Sequence, residues 1–444
     1  MRDLMMLAAM LAFVPLSLIN AFVAYLLWGW TAVLSPVFYL YGFMRPLRFN
    51  LLFAAITVLA LVFGRLSERG KLSFTRTQAL FILFALHASA SALLAIPNNP
   101  FNLQYYEGLM KVMAFCLLMP LFATSRLRIH ALLVMLVLGL GFHGLLEGLK
   151  FIASGGGHRV TGIQTTMMGD NNHFAVGMLL AVPIAYYLSQ FSARRLVRFG
   201  FICVALLTVA AILGTHSRGG FLGLAIVGVG IAWGAPKRWL GLSMVALGAV
   251  TILLLAPESW FERIETIGSA KEDSSFMGRV AAWQISSAIA LANPIFGGGF
   301  HALQAQATWE FFRGAGGLFS FITPGDIPLI AKAAHSIYFE VLGDLGFIGL
   351  LLFLALLGNA LWTRFEIRRL SRNDAQLGWA KSLADLLAVS IAAYMVSGAG
   401  VSLAYFEPIY VLIALMEALK QLVLRDHRAT VPVGHHPVQS AQAA

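Results

Sequence analysis

Residues 334–362 read AHSIYFEVLGDLGFIGLLLFLALLGNALW. Beyond Asp344 no charged side chain occurs before Arg364. The stretch exceeds the roughly 20 apolar residues that carry a helix across a bilayer core of about 30 Å. Similar runs recur in the rest of the chain, near 4–19, 21–40, 49–64, 78–95, 106–123, 131–152, 172–190, 199–214, 220–234, 238–255, 383–402 and 409–424. Hydrophobic residues make up 59% of the 444 positions and charged residues 11%, and the mean hydropathy is +0.80. A soluble domain carries about 25% charged residues. A transmembrane barrel would show short alternating strands. The fold class is therefore an all-α polytopic membrane protein.

Basic clusters separate many of the runs: Arg65/Arg69/Lys71/Arg76, Arg126/Arg128, Arg194/Arg195/Arg198, Lys237/Arg238, Arg364/Arg368/Arg369/Arg372 and Arg425/Arg428. Threading the chain back and forth from residue 65 puts all of them on one side, as expected when Lys and Arg stay cytoplasmic. The stretches 96–105, 153–171, 215–219, 256–335 and 403–408 then fall on the other face. Arg45 and Arg48 break the pattern. If 4–40 crosses once, with a broken or re-entrant piece near Pro36, the N-terminus is inside and the helices number about 12; if it crosses twice, the N-terminus is outside and they number about 13. About 12 transmembrane helices with both termini cytoplasmic is the expectation. The formal charge of +11 is explained by the same loops, so no nucleic-acid partner is expected. Cys116 and Cys203 lie in apolar runs and read as buried thiols. No cleavable signal is evident at the N-terminus. No internal repeat is seen, which disfavours transporters built from two related halves. The expected units are membrane helices over 1–255, one large periplasmic helical cap loop over 256–335, membrane helices over 336–428, and a disordered cytoplasmic tail over 429–444.

The cap loop is rich in apolar residues, among them Trp260, Phe261, Ile264, Trp283 and Phe300. Over 277–292 they recur at helical spacing, and Asn293-Pro294 ends the helix. Gly297-Gly298-Gly299 reads as a turn. His335, at the start of the next apolar run, can take a proton from a hydroxyl at neutral pH; a capping or merely hydrogen-bonded histidine is the plainer reading. Tyr338 shares its helical face, and Glu340 and Asp344 are acidic groups inside a membrane segment. Arg218, in Thr215-His216-Ser217-Arg218-Gly219, and Arg279, in Met277-Gly278-Arg279, can each grip phosphate oxygens. Snorkelling or ordinary ion pairing suits each of them equally well. Arg159, Asp170, Asn171 and Asn172 lie in a polar stretch that suggests a substrate-facing surface, or else a flexible turn with a helix cap. His301 beside the glycine turn is a secondary candidate.

No Asp-x-Asp pair, Walker A loop, nucleophile elbow or dense metal-ligand spacing occurs. Ser217-Arg218-Gly219, Met277-Gly278-Arg279 with Trp283, Gly297-Gly298-Gly299-Phe300 and the His335-Ser336-x-Tyr338-x-Glu340-x-x-Gly343-x-x-Gly346-x-x-Gly349 stretch together resemble the O-antigen ligase and O-antigen polymerase superfamily. Met1-Arg2-Asp3-Leu4, Asp170-Asn171-Asn172 and Trp260-Phe261-Glu262-Arg263 look closest to ligase-like proteins grouped as O-glycosylation ligases of exosortase-containing bacteria. The resemblance implies a GT-C-type helical glycosyltransferase of the bacterial inner membrane, working on the periplasmic face without metal or other cofactor. It implies transfer of a glycan from undecaprenyl diphosphate to an acceptor hydroxyl, with His335 as general base and Arg218 and Arg279 on the donor diphosphate.

Three acceptors are consistent with that chemistry. Lipid A–core would make the chain an O-antigen ligase, the leading expectation; an exported protein would make it an O-glycosylation ligase; a second lipid-linked glycan would make it a polymerase. A lipid-linked glycan flippase or transporter belongs to another class, and the single large outer loop argues against it. With no metal-binding pattern in the sequence, transfer should survive EDTA; strong inhibition reversed by added metal would overturn the metal-free expectation.

Overall fold

A computed structural model describes residues 2–40, 42–43, 47–63, 70, 74–164, 166–235, 237–243, 246–247, 274–318, 320–321 and 327–430. Trp260, Phe261, Ile264, Arg45 and the tail from 431 lie outside these residues, as does most of the run 238–255. Among the described residues all regular structure is helical. The helices are α1 (Arg2–Ile19), α2 (Ala21–Leu34), α3 (Phe49–Val62), α4 (Arg76–Leu93), α5 (Asn102–Phe122), α6 (Arg126–Ala153), α7 (Asn171–Phe191), α8 (Arg195–Gly214), α9 (Arg218–Gly234), α10 (Ser274–Ala292), α11 (Gln306–Phe312), α12 (Ile337–Leu370), α13 (Gly378–Ser397) and α14 (Glu407–Thr430).

Apart from 238–255, each apolar run of the sequence coincides with a helix, and α10 is the helix expected before Asn293-Pro294. Among the described residues seven helices are long and apolar enough to cross a membrane, and α2, α3 and α9 are shorter apolar helices. The chain is a membrane protein. The run 21–40 is broken: α2 ends at Leu34, Ser35 takes a left-handed conformation, and a short 3-10 turn covers Pro36–Tyr39. That is the interruption expected near Pro36.

Polar side chains start many helices by pairing with the first orphan N–H groups. Asn20, Thr75, Ser125, Asp170 and Ser217 all do so, and Thr75 forms a reciprocal capping box with Gln78. The packing is centred on α7, of whose membrane-length window 83% is buried, while α8 has only 17% buried and exposes Leu196, Phe199 and Leu206. Such an outward apolar belt is suited to lipid. α7 touches α6, α8, α9 and α13, and α12 touches α4, α10, α13 and α14.

α12 is interrupted at Gly346, whose φ is 69° and ψ −171°. Four backbone groups are freed by the break, and each finds a partner outside the helix. The Phe347 N–H donates to the Pro294 carbonyl at 2.9 Å, and the carbonyls of Gly343 and Asp344 accept from the N–H groups of Gly298 and Gly299 at 2.8 and 2.9 Å. The Leu345 carbonyl lies 2.9 Å from His87 Nε2. The glycine turn read from the sequence thus acts as a splint for a broken membrane helix. A Cβ on Gly346 would sit 2.6 Å from the Pro294 carbonyl oxygen, and one on Gly297 would sit 2.5 Å from the Gly346 nitrogen.

Gly346→Ala should therefore lower stability by about 1–3 kcal/mol, from left-handed strain and the backbone clash. Thermal unfolding in detergent would show this as a clear fall in Tm; an unchanged Tm would mean that the splint yields freely.

Candidate functional site

The segments that carry Arg218, Arg279 and His335 converge on one short stretch, 397–402, which joins α13 to the approach to α14. The Ser397 hydroxyl donates to the Gly219 carbonyl at 2.8 Å, fixing the first turn of α9 that carries Arg218. Nη1 of Arg279 lies 3.7 Å from where a Cβ on Gly400 would be. The backbone N–H of His335 donates to Ser402 Oγ at 2.8 Å. Gly398–Gly400 form a 3-10 turn, so the Ser397 and Gly400 contacts are spaced by about 6 Å along the chain, three residues at about 2 Å rise.

Each arm has its own local cause. Ser217 caps α9 through the Gly220 N–H, which leaves Arg218 as the first helical residue, exposed. On α10, Trp283 donates its indole N–H to the Ala334 carbonyl at 2.8 Å and stacks on Phe339 with ring centres 5.1 Å apart. This ties the helix bearing Arg279 to the residue before His335. His335 itself has a φ of 47°, a conformation that non-glycine residues rarely adopt, and the peptide that leads into it is tied at both its groups, the Ala334 C=O by Trp283 and the His335 N–H by Ser402.

Burial pushes the His335 imidazole below its ordinary value of 6.5, the positive charges of Arg279 and His173 push it further down, and Asp170 and Glu340 oppose them. The ring is therefore neutral at neutral pH, as proton abstraction needs. Asp170 and His173 both act on this ring, which puts the N-terminus of α7 beside His335. There Asp170 Oδ1 accepts the N–H groups of Asn172 and His173 at 2.7 and 2.9 Å, and its Oδ2 lies 2.8 Å from His173 Nδ1. Burial favours the neutral acid, but these hydrogen bonds and the His173 charge prevail and hold Asp170 down at about 2.

The other expected residues have varied surroundings. Asn171 donates to the Thr215 carbonyl at 2.9 Å, and Asn172 accepts from the Ser217 hydroxyl at 2.8 Å. Both therefore stitch the α8–α9 break to α7. Arg159 is exposed, and the next residue, Val160, bonds the Gly214 carbonyl at the end of α8. Tyr338 donates its hydroxyl to the Met395 carbonyl at 2.7 Å. His301 belongs to a separate buried cluster. Its Nε2 lies 3.2 Å from Glu340 Oε1, its Nδ1 2.6 Å from Gln304, and its ring stacks on Tyr105. Burial favours neutral His301, but Glu340 and Asp344 outweigh it and raise the ring above its ordinary value.

Sequence reading passed over Ser397, Gly400, Ser402 and Lys332, and met His173 only as the end of the polar stretch Gly169-Asp170-Asn171-Asn172-His173. Lys332 is exposed, with Nζ 3.1 Å from where a Cβ on Gly278 would lie, so a third cation flanks Met277-Gly278-Arg279. Only the Asp170/His173 spacing carried a local signal, a cap followed at i,i+3 by a chargeable partner.

Residues 202–354 match the family model described as O-antigen ligase, a segment that contains Arg218, Arg279 and His335. Residues 1–193 match a family of unknown function (DUF5935). No curated protein matches the chain. The O-antigen ligase match bears out the superfamily resemblance read from the sequence and implies, in general terms, a glycosyl-transferring ligase.

Trp283→Phe keeps the stack on Phe339 but orphans the Ala334 carbonyl. It should cost about 1–3 kcal/mol. Trp283→Ala, which also empties the packing space, should cost about 3–5 kcal/mol. Thermal unfolding of both variants checks the order, and a Tm for Trp283→Phe equal to that of the wild type would remove the anchoring role of the indole N–H.

Proposed function

We propose that this chain, a member of the O-antigen ligase superfamily, transfers a glycan from undecaprenyl diphosphate to an acceptor hydroxyl, most simply a sugar of lipid A–core, at the periplasmic face of the bacterial inner membrane. The observation that carries this reading is the convergence on 397–402 of the three segments bearing His335, Arg218 and Arg279, with all three residues inside the O-antigen ligase match.

In this reading His335 takes the proton of the acceptor hydroxyl as its oxygen attacks the anomeric carbon. The bond from that carbon to the diphosphate oxygen breaks, and the diphosphate leaves on its prenyl carrier. Attack opposite the leaving group inverts the anomeric configuration. Arg218 and Arg279 stabilise the charge that grows on the diphosphate, an effect strongest in a site shielded from water. The expected cap over 256–335 supplies part of that shield through α10. The same chemistry serves a protein hydroxyl or a second lipid-linked glycan as acceptor.

In vitro transfer tests the proposal, with an undecaprenyl-diphosphate-linked glycan as donor and lipid A–core, an exported protein or a second donor molecule as acceptor. His335→Ala should reduce kcat by about 10²–10⁴ with folding intact, the usual range for losing a general base; normal turnover would remove the assignment. Arg218→Ala and Arg279→Ala should each weaken use of the diphosphate donor, and unchanged donor kinetics in both would refute their role.

The pH dependence follows from the sign of the His335 shift. The base must be neutral, and its charge is disfavoured by burial, Arg279 and His173 against Asp170 and Glu340. Activity should therefore hold down to below pH 6.5 and fall on the acid side. Arg279→Gln removes a repelling charge, so the His335 pKa should rise and the acid limb of kcat/KM should move upward. A limb that stays in place would separate His335 from Arg279.

A further inference from the structure

His173 lies in the first turn of α7, and the transfer chemistry above leaves it without a role. Its surroundings are specific. Asp170 is fixed by two backbone N–H groups at the α7 cap, and its second oxygen lies 2.8 Å from His173 Nδ1. A carboxylate at that distance demands a proton on Nδ1, and in the neutral ring Nε2 is then a lone-pair acceptor. That Nε2 is buried and has no hydrogen-bond partner among the described residues. An orphaned buried acceptor is costly, and a ligand that supplies the missing donor would recover that cost.

The direction of that missing bond selects the ligand. An acceptor nitrogen cannot bond a diphosphate, which at neutral pH offers only acceptors, but it can bond a hydroxyl. The pair also adjoins the reacting centre: the neighbouring Asn172 accepts from the hydroxyl of Ser217, the residue before Arg218, at 2.8 Å, and the Asp170 carboxylate acts on His335. A hydroxyl donates one hydrogen bond at a time, so the reacting hydroxyl that donates to His335 cannot also donate to His173.

We propose that Asp170 and His173 form a sugar-hydroxyl subsite beside His335, in which His173 Nε2 accepts a hydrogen bond from a second, non-reacting hydroxyl of the glycan and Asp170 fixes the tautomer. His173 is a positioning residue here, and the inference rests on the glycan-transfer reading. The hydroxyl belongs either to the sugar being transferred or to the acceptor sugar.

Steady-state transfer by the full chain, with undecaprenyl-diphosphate-linked glycan and acceptor varied separately, tests the subsite. His173→Ala should raise KM for one substrate about tenfold, the range of one lost hydrogen bond, and leave the other KM and the Tm unchanged. The substrate affected identifies which sugar supplies the hydroxyl. His173→Gln, whose amide oxygen can still accept, should recover part of the loss and guards against a folding defect in the alanine variant. Asp170→Asn keeps an equally good helix cap but loses the carboxylate, so it should share the KM defect; wild-type kinetics there would overturn the tautomer role. Unchanged KM values for both substrates in His173→Ala, with or without a fall in kcat, would overturn the subsite. If His335→Ala is inactive in the same assay, the transfer reading stands even then. Absence of transfer by the wild-type chain to every acceptor would remove both.

Discussion

A helix broken inside a bilayer cannot leave its backbone groups to water, so other parts of the protein must take them. The break of α12 at Gly346 is resolved by the turn at 297–299, by the Pro294 carbonyl and by His87. His87 belongs to α4, and the other partners are the continuation of α10. The requirement to satisfy four backbone groups therefore binds α10 to α12, and with α10 comes Arg279. Trp283 makes the second attachment, at the Ala334 carbonyl. Between these two fastenings the entry to α12 has little freedom, and His335 sits there with a left-handed backbone.

The segment 397–402 performs the complementary task from the other side. Small residues and hydroxyls allow it to approach three elements at once: Ser397 at α9, Gly400 under Arg279 and Ser402 at the N–H of His335. A bulkier chain would hold the arms apart. The same economy of size explains Gly343, where a Cβ would meet Ser286 of α10 at 3.2 Å. The glycines of the His335–Gly349 stretch are thus demanded by packing and helix interruption.

A half-buried and a buried histidine near the start of α12, His335 and His301, are set in opposite directions. His335 faces Arg279 and is driven toward the neutral ring, whereas His301 faces Glu340 and Asp344 and is driven toward the charged one. Environments that push like groups apart are the usual way in which one site obtains a base and a fixed charge. In this protein the charged pair is also a brace. Glu340 accepts from the Ala404 N–H with its other oxygen, and Asp344 accepts from the Tyr405 hydroxyl, so the cluster holds the stretch that follows 397–402.

The helices were legible in the sequence because a bilayer leaves so few options: about 20 apolar residues in a row must be helical, and Asn293-Pro294 must end α10. His335, Arg218 and Arg279 were legible as candidates because polar groups at membrane boundaries stand out against apolar runs. Their meeting was not, since they lie more than fifty residues apart in the chain. Nor was the work of Asn171 and Asn172, whose side chains look like ligand-binding groups in one dimension and prove to be ties between α7 and the α8–α9 break. Ser397, Gly400 and Ser402 are too common in type to be noticed at all. Sequence by itself determined the secondary structure and the inventory of chemical groups, because both follow from local solvation and periodicity. Only the tertiary structure decided which groups face one another and in which protonation state, because contact and burial are properties of the packed chain.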